Sequence, residues 1–183
     1  YGEFVKEPET PTKSGYTFDG WYKEETLANS WYFLSDSVTE NTILYARWTA
    51  HTYTVTFDLQ SGSGGTVSVT ATYGSSMPTA TAPTRMGFIF TGFWDATKGG
   101  TQYYTSAMTS ARAWDKNENT TLYAKWAVTV TFNSAGGSAV TSTLANYGEF
   151  VKEPETPTKS GYTLSGWYKE ETLSNKWNFT SDI

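Results

Sequence analysis

The chain has 183 residues, 38% of them hydrophobic, 17% aromatic and 17% charged, with a formal net charge of -5. The net negative charge provides no positive surface field of the kind that binds nucleic acid or anionic lipid. No apolar run approaches the roughly 18 residues of a membrane span. With no cysteine and a single histidine, His51, the chain has no disulfide, thiolate metal site or two-histidine metal site.

Strands dominate the predicted elements. Residues 51–59 alternate polar and apolar side chains, the period of a strand with one buried face. Residues 66–73 repeat the alternation after a Gly-rich connection, so the pair predicts a β-hairpin. A Pro-punctuated stretch, a strand near residues 88–90, a loop and a closing strand at 121–126 follow. Apolar residues follow the helical period of 3.6 for no more than two turns, so we expect at most one short helix per unit, after the hairpin or near residues 24–29.

The sequence is built from three related units. Residues 1–37 match residues 147–183 at 30 of 37 positions, and a diverged copy lies between them. The predicted units are unit one (1–49), which lacks an N-terminal hairpin, unit two (50–126), which is complete and of a longer subtype, and unit three (127–183), which lacks a C-terminal strand. Short linkers are expected near residues 49–52 and at Ala127.

The positions that the copies retain are apolar, aromatic, Gly or Pro, whereas the polar loops differ between copies. We therefore interpret the retained set as specifying the fold. Its members include Trp21, Trp48, Gly87, Gly92, Trp94, Trp126, Gly161 and Trp167.

Several polar residues are candidates for catalytic groups. Glu24 and Glu25, repeated as Glu170 and Glu171, are neighbours in a loop and point to opposite sides, so they cannot straddle a glycosidic bond. We interpret the pair as a solvated turn. His51 is alone in a predicted linker, which favours a structural role. No enzymatic activity and no cofactor are therefore expected.

Three further places in the sequence are candidates for a binding or crosslinking site. Glycines at 60–66 join two strands and open no helix, so hairpin geometry explains them better than phosphate binding. Asp58 lacks the additional acidic ligands that calcium prefers. Lys125 could form an amide crosslink, but the alternation places it on the face opposite the apolar residues, which favours a surface lysine. No metal site is expected.

The aromatic side chains of unit two offer one candidate ligand site. Most Trp and Tyr residues must be core or contact residues, because a unit of about 70 residues needs large apolar side chains to be stable. Tyr103, Tyr104 and Trp114 lie instead among Gly, Ser and Thr in the insertion of unit two. We expect this insertion to be an exposed loop in which these three side chains could bind a sugar.

The combined motifs support a named resemblance. EPETPTKSGYTFDGWYKEETLANSWYF, followed by NTILYARW, and the hairpin TVTFNSAGGSAV together resemble the Listeria-Bacteroides repeat, the B repeat of internalin B. The resemblance implies small β-grasp-like, ubiquitin-related units in tandem, so the expected fold class is β-rich α+β in an extended array. It also implies an extracellular location, on a bacterial surface or on a secreted protein.

Two functions follow from this resemblance. The first is a non-enzymatic spacer or stalk that supports an adhesive domain. The alternative is an adhesion module that binds host matrix protein or glycan through exposed aromatic loops.

The two ends of the chain are cut out of phase with the repeat. The chain begins at Tyr1 rather than Met, so we expect it to be a piece of a longer protein. Units that lack strands leave backbone groups unpaired, and strand addition from another molecule would satisfy them. Head-to-tail self-association between unit three of one copy and unit one of the next is therefore expected.

Overall fold

The computed structural model describes residues 3–183, and in that range it contains ten strands and no helix. Accordingly, no helix in the described range could cross a membrane. The strands are β1 Glu3–Phe4, β2 Tyr16–Tyr22, β3 Ser37–Val38, β4 Tyr45–Ala50, β5 Thr52–Asp58, β6 Ser68–Thr72, β7 Ile89–Trp94, β8 Gln102–Thr105, β9 Thr120–Val130 and β10 Thr143–Asn146.

Unit two forms the largest sheet, in the strand order β6-β5-β9-β7-β8. Strands β5 and β6 form the predicted antiparallel hairpin, and β9 contains the predicted closing strand. β9 lies at the centre, parallel to β5 and antiparallel to β7. The last strand of the unit therefore joins its first strand to the rest of the sheet.

The expected α+β class with β-grasp-like units is wrong, because the described residues form no helix and the connection after the hairpin, where one was expected, contains no helical residue. Pro78 and Pro83 interrupt this connection, and each removes a backbone donor. Its other backbone groups find partners outside the segment: Gly74 N–H donates to Trp114 O at 2.8 Å and Met77 N–H to Ser110 Oγ at 2.8 Å. The described fold is therefore all-β, with irregular segments where a helix was expected.

The core of unit two lies on one face of this sheet. Strands contribute the alternating apolar residues, and two irregular segments cover them with Met77 and Trp114. Burial of each large apolar side chain contributes about 1.5–3 kcal/mol. The buried members are Val55, Phe57, Ala71, Met77, Phe93, Tyr103, Tyr104, Trp114, Leu122, Ala124 and Trp126.

The bend in β7 depends on a glycine. The register shifts between Phe90 and Gly92, and Gly92 has a φ of 133°. A Cβ atom there would lie 2.2 Å from the carbonyl oxygen of Tyr104. β2 carries a matching register shift at Gly20, where φ is 124°, so the repeat preserves this bulge.

The junctions between units contain strands where the sequence predicted linkers. One residue, His51, separates β4 from β5, and β9 runs without a break from unit two into unit three. Ala127 in β9 pairs with Ile89 of unit two and with Asn146 of unit three. Within the described residues, successive units are therefore joined by ordered backbone.

Units one and three show closely similar sequences in two conformations, the segments compared differing at two of seven positions. In unit one, β2 (YTFDGWY) pairs with β4. The corresponding residues 162–168 (YTLSGWY) form no strand, and no strand in the described part of unit three occupies the position of β4. Pairing with a partner, rather than local propensity, therefore determines whether this segment is a strand.

Candidate functional site

The three aromatic residues proposed as a ligand site lie in the core. Tyr103 is 1% exposed, and Tyr104 and Trp114 are 0% exposed. The insertion folds back over the sheet, and the rings of Tyr103 and Trp114 pack with their centroids 5.2 Å apart. The expected exposed loop is wrong for these side chains, because unit two uses them to cover its own apolar face.

Their hydroxyl groups are also engaged. Tyr103 Oη donates to Asp115 Oδ1 at 2.5 Å, and Arg112 pairs with the same carboxylate. Tyr104 Oη donates to the carbonyl oxygen of Pro78 at 2.7 Å. Burial, reinforced by the Asp115 carboxylate, raises the pKa of Tyr103, and burial alone raises the pKa of Tyr104 to about 12. Both phenols are therefore neutral hydrogen-bond donors at ordinary pH.

Glu24 organises a loop. Its Oε1 accepts hydrogen bonds from the backbone N–H groups of Ala28 at 2.9 Å and Asn29 at 2.7 Å. Glu170 accepts the equivalent bonds from Ser174 and Asn175 in unit three. These bonds tie Oε1 of each glutamate to its own loop, so the repeated glutamate stabilises the turn.

His51 connects units one and two. Its ring Nε2 lies 2.8 Å from Thr17 Oγ1, and Nδ1 lies 3.2 Å from the hydroxyl of Tyr53. Its backbone N–H donates to Gly15 O at 2.8 Å, and its carbonyl accepts from Tyr73 N–H at 2.9 Å. Every polar group of this histidine thus has a partner that holds the junction.

The Gly-rich loop is closed against the segment that follows the hairpin. Ser63 and Thr84 exchange two backbone hydrogen bonds of 2.8 and 2.9 Å, and Thr66 N–H donates to Thr81 O at 3.2 Å. Asp58 accepts from Gln60 N–H at 2.9 Å. No group of three or more acidic, histidine or cysteine side chains capable of holding a metal occurs among residues 3–183. These hydrogen bonds hold the Gly-rich loop against the rest of unit two.

Lys125 lies on the opposite face of the sheet from the core. Its Nζ donates to Gly99 O at 2.5 Å and lies 4.9 Å from the centroid of the Trp94 ring. The position is that of a lysine packed on an aromatic surface.

The residues predicted to specify the fold fall into three groups by burial. Trp126 and Gly92 are buried, the other tryptophans are half-buried, and the two remaining glycines lie exposed in turns at positive φ. The half-buried tryptophans are Trp21, Trp48, Trp94 and Trp167, and the turn glycines are Gly87 and Gly161.

Sequence reasoning missed an aromatic contact at the junction between units one and two. The rings of Tyr16 and Tyr73 pack edge-on at 5.6 Å, with Lys13 Nζ 4.1 Å from the Tyr16 centroid. A Cβ atom on Gly15 would lie 2.4 Å from the Tyr73 ring, so glycine allows this close approach.

The junction between units two and three repeats the arrangement. Phe88 and Tyr147 pack edge-on at 5.1 Å, and the Arg85 guanidinium lies 3.8 Å from the Phe88 centroid. The signal was present in the sequence as the pattern [KR]-x-G-[YF] and the retained Tyr-Gly pair. Of the three Tyr-Gly pairs, Tyr1-Gly2 lies outside the described residues.

Unit three contains an open apolar groove of about 740 Å³. Aromatic side chains line it, with the rings of Phe132 and Trp167 5.0 Å apart and Trp177 nearby. Tyr162 stands at the groove and is 72% exposed. Residues 162–168, the counterpart of β2, form part of its lining.

Comparison with known proteins confirms the resemblance. Residues 1–47, 53–125 and 129–183 each match the Listeria-Bacteroides repeat domain. A putative membrane protein of Evansella cellulosilytica is 37% identical over the whole of this chain, a match that covers 27% of the relative. A putative Gly-rich membrane protein of the same organism is 38% identical over the whole of this chain, and the match covers 21% of that relative. Internalin H of Listeria monocytogenes is 43% identical over 55% of this chain and 18% of its own length. No solved structure matches.

Proposed function

The chain belongs to the Listeria-Bacteroides repeat family, and we propose that it acts as a non-enzymatic spacer in a bacterial surface or secreted protein. In this function, tandem units add length and hold an adhesive domain away from the cell envelope. The observation that carries the proposal is the continuity of β9, whose eleven residues pair with β5 and β7 of unit two and with β10 of unit three in one sheet. Continuous strand fixes the spacing between units more firmly than a flexible linker would.

The relatives support a surface location. One is named an internalin and two are named membrane proteins, and this chain spans between 18% and 27% of their lengths. A repeated segment that makes up about a fifth of a longer protein is suited to separating other regions.

The bonding of the polar candidates supports the absence of catalysis. Glu24 accepts three hydrogen bonds within its own loop, and both ring nitrogens of His51 lie against hydroxyl groups of the junction. A general base must instead reach a substrate proton.

Adhesion to a host matrix protein or glycan is the alternative function, and the aromatic groove of unit three favours it. Exposed aromatic faces suit both sugar rings and apolar side chains. The buried insertion of unit two offers no such face, so adhesion would use the groove.

Small-angle scattering tests the spacer function. A chain with unit two duplicated in frame should have a maximum dimension that exceeds that of the parent chain by about the length of one unit. An unchanged dimension would show that units fold back on one another and would contradict the proposal.

A glycan and matrix-protein array tests the alternative function. Specific binding that Tyr162→Ala removes and Tyr32→Ala preserves would favour adhesion, because both tyrosines are exposed, at 72% and 64%, and only Tyr162 lies at the groove.

A further inference from the structure

The first and last strands of unit two are neighbours and run in the same direction. β5 and β9 pair in parallel from Val55 with Thr120 to Asp58 with Tyr123. The chain enters the unit at the start of β5 and leaves it at the end of β9. Tension on the two ends therefore pulls these strands past each other along their length, and it loads all the hydrogen bonds between them together. Peeling, in contrast, would break the same bonds one at a time.

Two side-chain hydrogen bonds extend this ladder beyond its ends. At the lower end, Thr54 N–H donates to Asn119 Oδ1 at 2.8 Å. At the upper end, Trp126 Nε1 donates to Leu59 O at 3.0 Å. Each of these bonds joins β5 or the residue after it to β9 or the residue before it. Tension must therefore break them together with the backbone bonds of the ladder.

The tryptophan of the upper bond is firmly held. Trp126 is 3% exposed, and its ring packs 5.5 Å from that of Phe90. A Cβ atom on Gly62 would lie 2.5 Å from the indole, so the chain passes directly over the ring. Sliding of β9 along β5 must drag this side chain out of the core.

The path of tension continues into both neighbouring units. β9 carries it into the hairpin with β10, where Ala127 to Val130 pair with Asn146 to Thr143. At the other end, the backbone of His51 is bonded to unit one through Gly15 O and to unit two through Tyr73 N–H. No slack segment separates the ladder from its neighbours within the described residues.

We propose that unit two is a load-bearing element, in which the β5–β9 ladder, clamped by Asn119 and Trp126, resists tension along the chain. This goes beyond the spacer function, which requires length but no particular resistance to force. Asn41 and Trp48 stand at the corresponding positions of unit one.

Single-molecule force spectroscopy on the full chain tests the proposal. The chain has no cysteine, so two introduced cysteines define the points of pulling. Thr52→Cys with Thr129→Cys loads the ladder in shear, and Thr52→Cys with Glu118→Cys peels it from its lower end. All three positions are exposed. We expect a severalfold higher unfolding force in the shear geometry, and equal forces in the two geometries would overturn the proposal.

Substitution of the clamp separates mechanical resistance from ordinary stability. Trp126→Phe keeps an aromatic ring but removes the donor to Leu59 O, so it should lower the unfolding force in the shear geometry and leave the peeling force nearly unchanged. Trp94→Phe is the control, because the half-buried Trp94 lies on β7, on the opposite side of β9 from β5. A fall by the same factor in both geometries would show simple destabilisation and would remove Trp126 from the clamp.

Discussion

Two buried tryptophans of unit two differ in one respect that can be measured. Trp114 is 0% exposed and Trp126 is 3% exposed. Trp126 Nε1 donates to Leu59 O at 3.0 Å, whereas Trp114 Nε1 has no acceptor within hydrogen-bond distance among the described residues. Replacing each by Phe removes a similar volume, so the difference between the variants reports the hydrogen bond.

The expected change in stability depends on whether each indole N–H has an acceptor. Trp126→Phe loses one hydrogen bond, worth about 1 kcal/mol net, while the carbonyl of Leu59 keeps its bond from Gly62 N–H at 2.9 Å. Trp114→Phe removes a buried donor whose lack of a partner costs about 1–3 kcal/mol. We therefore expect Trp126→Phe to be the less stable variant by at least about 2 kcal/mol.

Urea unfolding of the full chain, followed by circular dichroism, measures this difference. With a urea dependence of about 1–3 kcal/mol per molar, the two midpoints should be separated by about 1 M. Both variants should keep the native spectrum in the absence of urea. A Trp114→Phe midpoint equal to or below that of Trp126→Phe would refute the assignment of the two indole groups.

Two further predictions address the bulge and the buried phenol. Gly20→Ala should cost roughly 1–3 kcal/mol in backbone strain. Gly92→Ala should destabilise unit two by more than this, because, of the two glycines, only Gly92 has a backbone oxygen close to the position of an added Cβ atom. Hydrogen exchange resolved by unit measures the loss of stability in each variant, and equal losses would contradict the predicted clash with the Tyr104 carbonyl. Burial raises the pKa of Tyr104 to about 12, so this phenol ionises at lower pH in the unfolded state than in the folded state. The free energy of unfolding should therefore fall as the pH rises from about 10 to 12. Tyr104→Phe should make this fall less steep, and an unchanged pH dependence would disprove the effect of burial.

The sequence was sufficient for elements whose pattern is local. The alternation in residues 51–59 predicted β5 and its buried face, with Val55 and Phe57 in the core, and the closing segment predicted β9 with Leu122, Ala124 and Trp126 inward. Period-2 alternation works here because each strand of unit two has one covered face.

The sequence was insufficient where burial depends on distant segments. Gly, Ser and Thr around Tyr103 and Trp114 indicated an exposed loop, but the loop closes over the sheet and is held by Gly74 and Ser75 from the connection after the hairpin. The same contact replaces the expected helix, because the connection bonds to the insertion instead of to itself. Neither outcome can be predicted from a window of neighbouring residues.

The central position of β9 has a consequence for the order in which units form. A unit's last segment in sequence completes its sheet, so a chain emerging from a ribosome or a secretion pore cannot close unit two until residue 126 is free. Once β9 is placed, its continuation holds Ala127 to Val130 in register as the first strand of the next hairpin. Closure of unit two therefore positions the first strand of the next hairpin, and we expect the units of an emerging chain to close in order from the N-terminus.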